Sequence, residues 1–307
     1  MEEIKIHKKI DLENPVMIAG WPGMGSVASG VVGYLRKKLK ATKFSEIYVD
    51  ELSGLDSVVV EDGLATLPPP PKNLFYYSKN PDLVIFEGES QVGGLAGIAL
   101  LNKVLDLALQ LKTRIIYTGA AFPLPVSHVE APQLYGAVNS MSLAKLFSKF
   151  GITPMDGGHI SGLNGLLLGF AKEKGMGAMC ILATMPQYAI SLPNPKASYA
   201  IIEALQKIAG FRVDMLELAE QIREMDEKMA MIEEKVKDVL IMDKEGPGLP
   251  RPPEKKVPGY IVEKIERLFR DAKSDRTKAI VLKRELDRWD LYHRYEDRFL
   301  DLFKNNQ

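Results

Sequence analysis

The chain has 307 residues, 46% of them hydrophobic, enough for one large domain with an appendage or for two domains. Lys plus Arg and Asp plus Glu both number 40, so the formal net charge is zero and nothing global selects nucleic acid or an anionic membrane as partner. The only cysteine, Cys180, excludes a disulfide framework and a cysteine-based zinc site, and it fits a reducing, cytoplasmic setting. The charged start Met1-Glu-Glu-Ile-Lys5 does not read as a signal peptide, and no apolar run is long enough to span a bilayer.

Ile4 to Ile10 alternates and opens the chain as a strand. Val16 to Ala19 is a short apolar strand that ends in Gly20-Trp-Pro-Gly-Met-Gly-Ser26 and runs into a helix, Val27 to Leu39. Three readings of this loop compete. Its glycines let the helix pack tightly on the strand. Alternatively, its amides and the helix dipole form an anion or carbonyl receptor, with Gly20, Trp21, Gly23, Gly25 and Ser26 as the candidate loop and Ser26 as helix cap. The third is a dinucleotide site, since Gly23-Met-Gly-Ser-Val-Ala28 fits Gly-x-Gly-x-x-Gly/Ala and Asp50 or Glu51 ends the next strand. No Lys follows the glycines, so a Walker loop is excluded.

Strands follow at Phe44 to Val49, Val58 to Val60, Asn73 to Ser78 and Asp82 to Phe86, with the Pro68–Pro71 run as an extended connector. Gly93 to Leu111 is a helix, Arg114 to Tyr117 a strand, and Ser140 to Phe150 and Asn164 to Lys174 are helices. Ala178 to Ala183 is a strand, and Pro195 to Gly210 a helix with Pro at its entry and Gly at its exit. Strands alternating with helices predict an α/β fold with a mainly parallel sheet flanked by helices.

Beyond Phe211, Met215, Leu218, Ile222, Met225, Met229, Ile232, Val236 and Val239 recur at alternating steps of three and four, an a/d seam. A helix lying on the α/β body usually shows a broader stripe, so the seam favours pairing with another helix, of another subunit or of the C-terminus. Residues 246–258 form a Pro/Gly linker, and Tyr260 to Ala272 and Thr277 to Phe303 are helical. Trp289, Tyr292, Tyr295, Phe299 and Phe303 form an aromatic stripe on a segment too small and polar for a good core, so it is expected to dock or stay mobile until a partner arrives. The expected organisation is an α/β core at 1–212, a coiled-coil-like helix at 213–242, a linker at 243–259 and a mobile helical segment at 260–307.

Ligand sites of open α/β sheets lie at the carboxyl ends of the strands. Glu87, Glu89, Gln91, Thr118, His159, Ser161 and Asn164 are therefore the candidate cleft. Glu87 and Glu89 are an acid pair expected to point to opposite sides of their extended segment. No Gly-x-Ser-x-Gly elbow is present, and the four His are scattered, so neither a catalytic set nor a metal site is assigned.

Gly20-Trp-Pro-Gly-Met-Gly-Ser26, Phe86-Glu-Gly-Glu-Ser-Gln91, Tyr135-Gly-Ala-Val-Asn139 and Ile160-Ser-Gly-Leu-Asn-Gly-Leu-Leu167 occur here in one order. In them, residues 10–240 resemble the archaeal, type 2 branch of the proteasome assembly chaperone family. The resemblance implies a nucleoside phosphorylase-like core and homo- or hetero-oligomers. It also implies help in assembling the proteasome α-ring, and no cofactor. Members that bind the proteasome often end in a hydrophobic-Tyr-any tripeptide; this chain ends Lys304-Asn-Asn-Gln307, so docking by that tail is not implied.

The expectation is a non-enzymatic, cytoplasmic, homo-oligomeric chaperone or scaffold. Its C-terminal helices would capture protein clients, with proteasome subunits or another chaperone-family protein as candidates. The alternatives are a small-molecule or nucleotide enzyme, ATP-grasp-like or phosphorylase/hydrolase-like, working in the cleft, and a purely structural ring.

Overall fold

The computed structural model of the chain describes residues 3–49, 58–245, 259–274, 278–288, 291, 295, 298–299 and 301–302. The chain divides into two compact units, Met1–Lys237 and Asp238–Gln307.

The first unit is built on a nine-stranded sheet. Its strands are β1 (Glu3–Ile6), β2 (Val16–Gly20), β3 (Thr42–Tyr48), β6 (Asn73–Ser78), β7 (Leu83–Gly88), β8 (Ile115–Leu124), β9 (Leu134–Val138), β10 (Thr153–Pro154) and β11 (Ala178–Pro186). A separate two-stranded hairpin, β4 (Val59–Glu61) with β5 (Leu64–Thr66), stands between β3 and β6. The order in the main sheet is β1-β3-β6-β7-β2-β8-β11-β9-β10.

The sheet is mixed, which corrects the expectation of a mainly parallel one. β7–β2, β2–β8, β8–β11 and β9–β10 are parallel; β1–β3, β3–β6, β6–β7 and β11–β9 are antiparallel. The connections explain the split. Only four residues, 79–82, join β6 to β7, far short of the dozen or more a parallel crossover needs. β9 likewise re-enters after 125–133 from the end at which β8 left, so it runs against β8 and β11.

The parallel centre is apolar throughout, as strands covered on both faces require. All nine residues of β11 and all five of β2 are buried. Alternation sorts them: Val16 and Ile18 face α1 (Val27–Lys38) and α5 (Pro195–Ala209), while Met17 and Ala19 face α2 (Gly94–Gln110) and α4 (Leu163–Glu173). α3 (Lys145–Phe150) closes the β9–β10 end through Phe147. α1 approaches β2 so closely that a Cβ on Gly20 would lie 2.8 Å from the Ala28 carbonyl oxygen.

α6 (Leu216–Glu245) begins in this unit. Leu218 is buried in the α1/α5 core, and Met229 is buried too. Lys38 reaches Glu217 at 3.0 Å and Lys196 reaches Asp226 at 2.8 Å, while Tyr34 donates to the Asp214 carbonyl at 2.8 Å. The seam from Leu218 to Met229, read as pairing with another helix, is thus laid on its own α/β body. The Val236 side chain lies outside the described residues.

In the second unit, α7 (Gly259–Ser274) and α8 (Ala279–Arg288) have a core of their own: Ile265, Phe269, Ala272, Ala279, Leu282, Leu286, Leu291 and Phe299. This corrects the expectation that the segment is too polar for one. Each helix carries a stripe at spacings of three and four, and the two stripes face each other. Arg298 closes the unit with two bonds to Glu266 at 2.7 and 2.6 Å and with its guanidinium 4.4 Å from the Phe269 ring centre.

Candidate functional site

The carboxyl ends of β2, β7, β8 and β11 share one edge of the sheet, and the expected cleft opens there. It has a volume of about 280 Å³ and is lined by Gly23, Met24, Gln91, Phe122, Met155, His159, Ser161 and Asn164, among others. Most of the lining is apolar. Gln91, His159, Ser161 and Asn164 of the predicted set are brought together here; Glu87, Glu89 and Thr118 are not.

The two acids are drawn away. Glu87 accepts from Arg36 Nε at 2.7 Å beside α1, and Glu89 accepts from the Lys72 N–H at 2.9 Å at the base of the β4–β5 excursion. An acid pair for proton transfer is therefore not assembled in the cleft, and the placing of Glu87 and Glu89 there is corrected. Thr118 is buried, its hydroxyl donating to the Asn164 carbonyl at 2.8 Å.

The Gly/Pro loop is fastened rather than open. Trp21 is fully buried in an aromatic row, 4.7 Å from Phe86, which lies 4.8 Å from Phe75. Its backbone is gripped by one side chain: the Trp21 N–H donates to Asn164 Oδ1 and Asn164 Nδ2 donates to the Trp21 carbonyl, both at 3.0 Å. Gln91 acts in the same way, donating to the Pro22 carbonyl at 2.5 Å and accepting from the Leu163 N–H at 3.0 Å. These amides tie the loop after β2 to the start of α4.

Part of the expected anion receptor is taken up by internal bonds: the N–H of Gly25 donates to Ile190, that of Ser26 to Gly23 and that of Val27 to Met24, so these amides already have acceptors. Ser26 itself is left-handed (φ 48°) and makes no side-chain cap bond, which removes it as the helix cap. Gly25 is also left-handed and packs against Met185 and Asn194. Asp50 and Glu51, the ribose acids of the dinucleotide alternative, lie outside the described residues.

Cys180 is fully buried in β11, and burial pushes its thiol up to about 11. Of the aromatic stripe, Tyr295 and Phe299 belong to the small core of the second unit, while Trp289, Tyr292 and the linker 246–258 lie outside the described residues. Among the described residues, no helix is long and apolar enough to cross a membrane.

Three fasteners escaped the sequence reading. Asn139 donates to the Leu168 and Met176 carbonyls and accepts from the Ala178 N–H, joining β9, α4 and β11. Asn194 caps α5 through the Ala197 N–H at 2.9 Å, and the Ser198 hydroxyl reaches the Val27 carbonyl at 3.1 Å. The Asn-Pro pair at the α5 entry is the one signal that could have exposed a cap.

Comparison with known proteins places this architecture. The chain resembles Pyrococcus furiosus PbaB, an archaeal proteasome activator, at 29% identity and a TM-score of 0.65 over 76% of this chain and 98% of that one. It has the fold of Pyrococcus furiosus PbaA, an archaeal homolog of proteasome-assembly chaperone (19% identity, TM-score 0.60, 78% and 99% covered). A Methanocaldococcus jannaschii protein named "Uncharacterized protein MJ1210" is 26% identical over 230 residues, 73% of this chain and 86% of its own. The model of the PAC2 family matches residues 17–233, and the chain belongs to that family.

Proposed function

We propose that the chain is a non-enzymatic chaperone or scaffold that self-associates and acts on protein partners, proteasome subunits first among them. The observation that carries this is the likeness to an archaeal proteasome activator over nearly that protein's whole length. The fastening of the cleft supports it. Asn164, Gln91 and Thr118 hold backbone, and Glu87 and Glu89 turn to Arg36 and Lys72, so these polar groups serve the fold, with His159 and Ser161 left facing the cleft. The C-terminal unit is the proposed client-binding part. With Tyr295 and Phe299 inside its own core, a client meets its outer faces.

The test is to mix the full chain with purified archaeal proteasome α- and β-subunits and follow complexes by native mass spectrometry and peptidase activity. A complex with α-subunits, or a changed rate of assembly or peptide cleavage, supports the proposal. The absence of both binding and a rate change refutes it. Deletion of residues 246–307 should abolish the complex; retained binding moves the client contact to the α/β body.

A further inference from the structure

Between β3 and β6 the chain leaves the main sheet and forms the β4–β5 hairpin. Asp62 and Gly63 supply the two positive φ angles (50° and 80°) that a two-residue hairpin turn needs. Alternation puts Val60 and its cross-strand partner Ala65 on one face, with Val58 and Leu67 one step further along it. That face is apolar throughout, yet Val58, Val60 and Leu67 are 53%, 62% and 63% exposed. Among the described residues, both outer strand edges lack a neighbour. Two strands alone are marginal in water. The base, in contrast, is held twice: the Lys72 N–H donates to Glu89 Oε2 and the Glu89 N–H to the Lys72 carbonyl, both at 2.9 Å. The hairpin carries an exposed apolar face and leads, through the Pro68–Pro71 run, to a stem anchored at Lys72.

The charge of the chain points to the occupant. From Asp50 to Pro71 the sequence contains Asp50, Glu51, Asp56, Glu61 and Asp62 and no Lys, Arg or His. β1 carries mostly the opposite sign. It is the outermost strand of the main sheet, its outer edge is unpaired among the described residues, and after Glu3 come Lys5, His7, Lys8 and Lys9, all exposed, with Ile6 54% exposed among them and His7 bonded to Glu46. A lysine-lined edge rejects an ordinary strand by leaving its charges unmatched, but it accepts an acidic one. A contact between two different surfaces of one chain is heterologous, and it closes into a ring when the rotation allows.

We propose that the β4–β5 hairpin of one copy docks on the β1 edge of a second copy of this chain, adding its free strand edge to β1 and covering its apolar face. The proposal rests on the self-association proposed above and is independent of proteasome binding.

The test is the mass of the full 34.1 kDa chain by light scattering over a range of concentrations, for the wild type and for variants at exposed positions. The wild type is expected to form a defined oligomer that loosens in high salt, as a contact between charged surfaces does. Val60→Lys with Leu67→Lys, and separately Lys5→Glu with Lys8→Glu, should each fall to the monomer mass with an unchanged circular dichroism spectrum. Combining Lys5→Glu and Lys8→Glu with Glu61→Lys and Asp62→Lys should restore the oligomer. A wild-type mass retained in the Val60/Leu67 variant overturns the hairpin contact while leaving self-association standing. A combined variant that stays monomeric overturns the β1 edge as its receptor. A wild type that is monomeric at every concentration overturns the self-association itself.

Discussion

Asn164→Ala tests whether the strand-end cleft is a fastening or a working site. Asn164 is only 5% exposed, and its side chain makes two 3.0 Å bonds, one to each backbone group of Trp21. Truncation removes both bonds, about 1 kcal/mol net each, and leaves the Trp21 N–H and carbonyl without partners at about another 1 kcal/mol each, so the loss should be about 3–4 kcal/mol. The assay is guanidinium unfolding followed by tryptophan emission in a Trp289→Phe background, where Trp21 is the remaining indole. Asn164→Asp adds a second reading. It keeps volume and one acceptor but sets a carboxylate oxygen against the Trp21 carbonyl, so it should be destabilising at neutral pH and partly recover as the pH falls and that oxygen regains a proton. A loss below about 1 kcal/mol for Asn164→Ala, with native emission unchanged, would refute the reasoning and return Asn164 to the ligand candidates.

The other predictions concern the sheet edge and the second unit. Burial alone would raise the Glu46 carboxyl, but hydrogen bonds from Lys43, Tyr48 and His7 outweigh it and hold the group at about 2 against an ordinary 4.5. A depressed folded value stabilises above about pH 4.5 and loses that contribution as the pH falls toward 2. Glu46→Gln should therefore flatten the acid limb of the unfolding midpoint, and an unchanged limb refutes this. Phe269, 1% exposed beneath Arg298 and 5.7 Å from Tyr295, should cost about 3–5 kcal/mol as Phe269→Ala. That is enough to erase hydrogen-exchange protection of α7 and α8 while the unfolding midpoint of residues 1–237 stays put; protection that survives refutes the separate core.

What could be read in advance was whatever a local pattern fixes. Val16 to Ala19 followed by glycines and a periodic run identified β2 and α1. The spacing of Glu87 and Glu89 did not carry the expectation of opposite sides, since residues i and i+2 of a strand share a face; the two acids part because Glu89 lies beyond the end of β7. Where each carboxylate went was not legible, because Arg36 and Lys72 approach from elsewhere in the chain. β9 was missed for a related reason. Leu134-Tyr-Gly-Ala-Val138 is weak as a strand, and Gly136 is there because a Cβ would stand 2.8 Å from Phe147, a tertiary demand without a local signature. Strand direction was misjudged because α/β alternation was extended to β6, which only four residues join to β7, and because β9 was not read as a strand at all. Of the C-terminal stripe, Tyr295 and Phe299 pack into the core formed with α7 and α8, while Trp289, Tyr292 and Phe303 lie outside the described residues.

The first half of the a/d seam of α6 meets its own α/β body: Leu218 and Met229 are buried, with Ile222 and Met225 half-buried between them, while the side chains of Val236 and Val239 lie outside the described residues. Leu218 enters the α1/α5 core, and the flanks are met by charge: Lys37 and Lys38 on Glu217, and Lys196 on Asp226. A mixed Met/Ile/Leu/Val seam, half of it used on its own body, carries no information about subunit number. It also decides where the chain should be cut. Truncation at Phe211 would strip Leu218 and its ion pairs from α1 and α5 and weaken the α/β body itself, so an oligomer lost by that cut would say nothing about helix pairing between subunits. Truncation after Lys237, at the boundary between the two units, leaves Leu218 to Met229 in place and removes only the second unit. If the hairpin on β1 holds the copies together, that shorter chain keeps the oligomer, and Val60→Lys with Leu67→Lys dissolves it there as well.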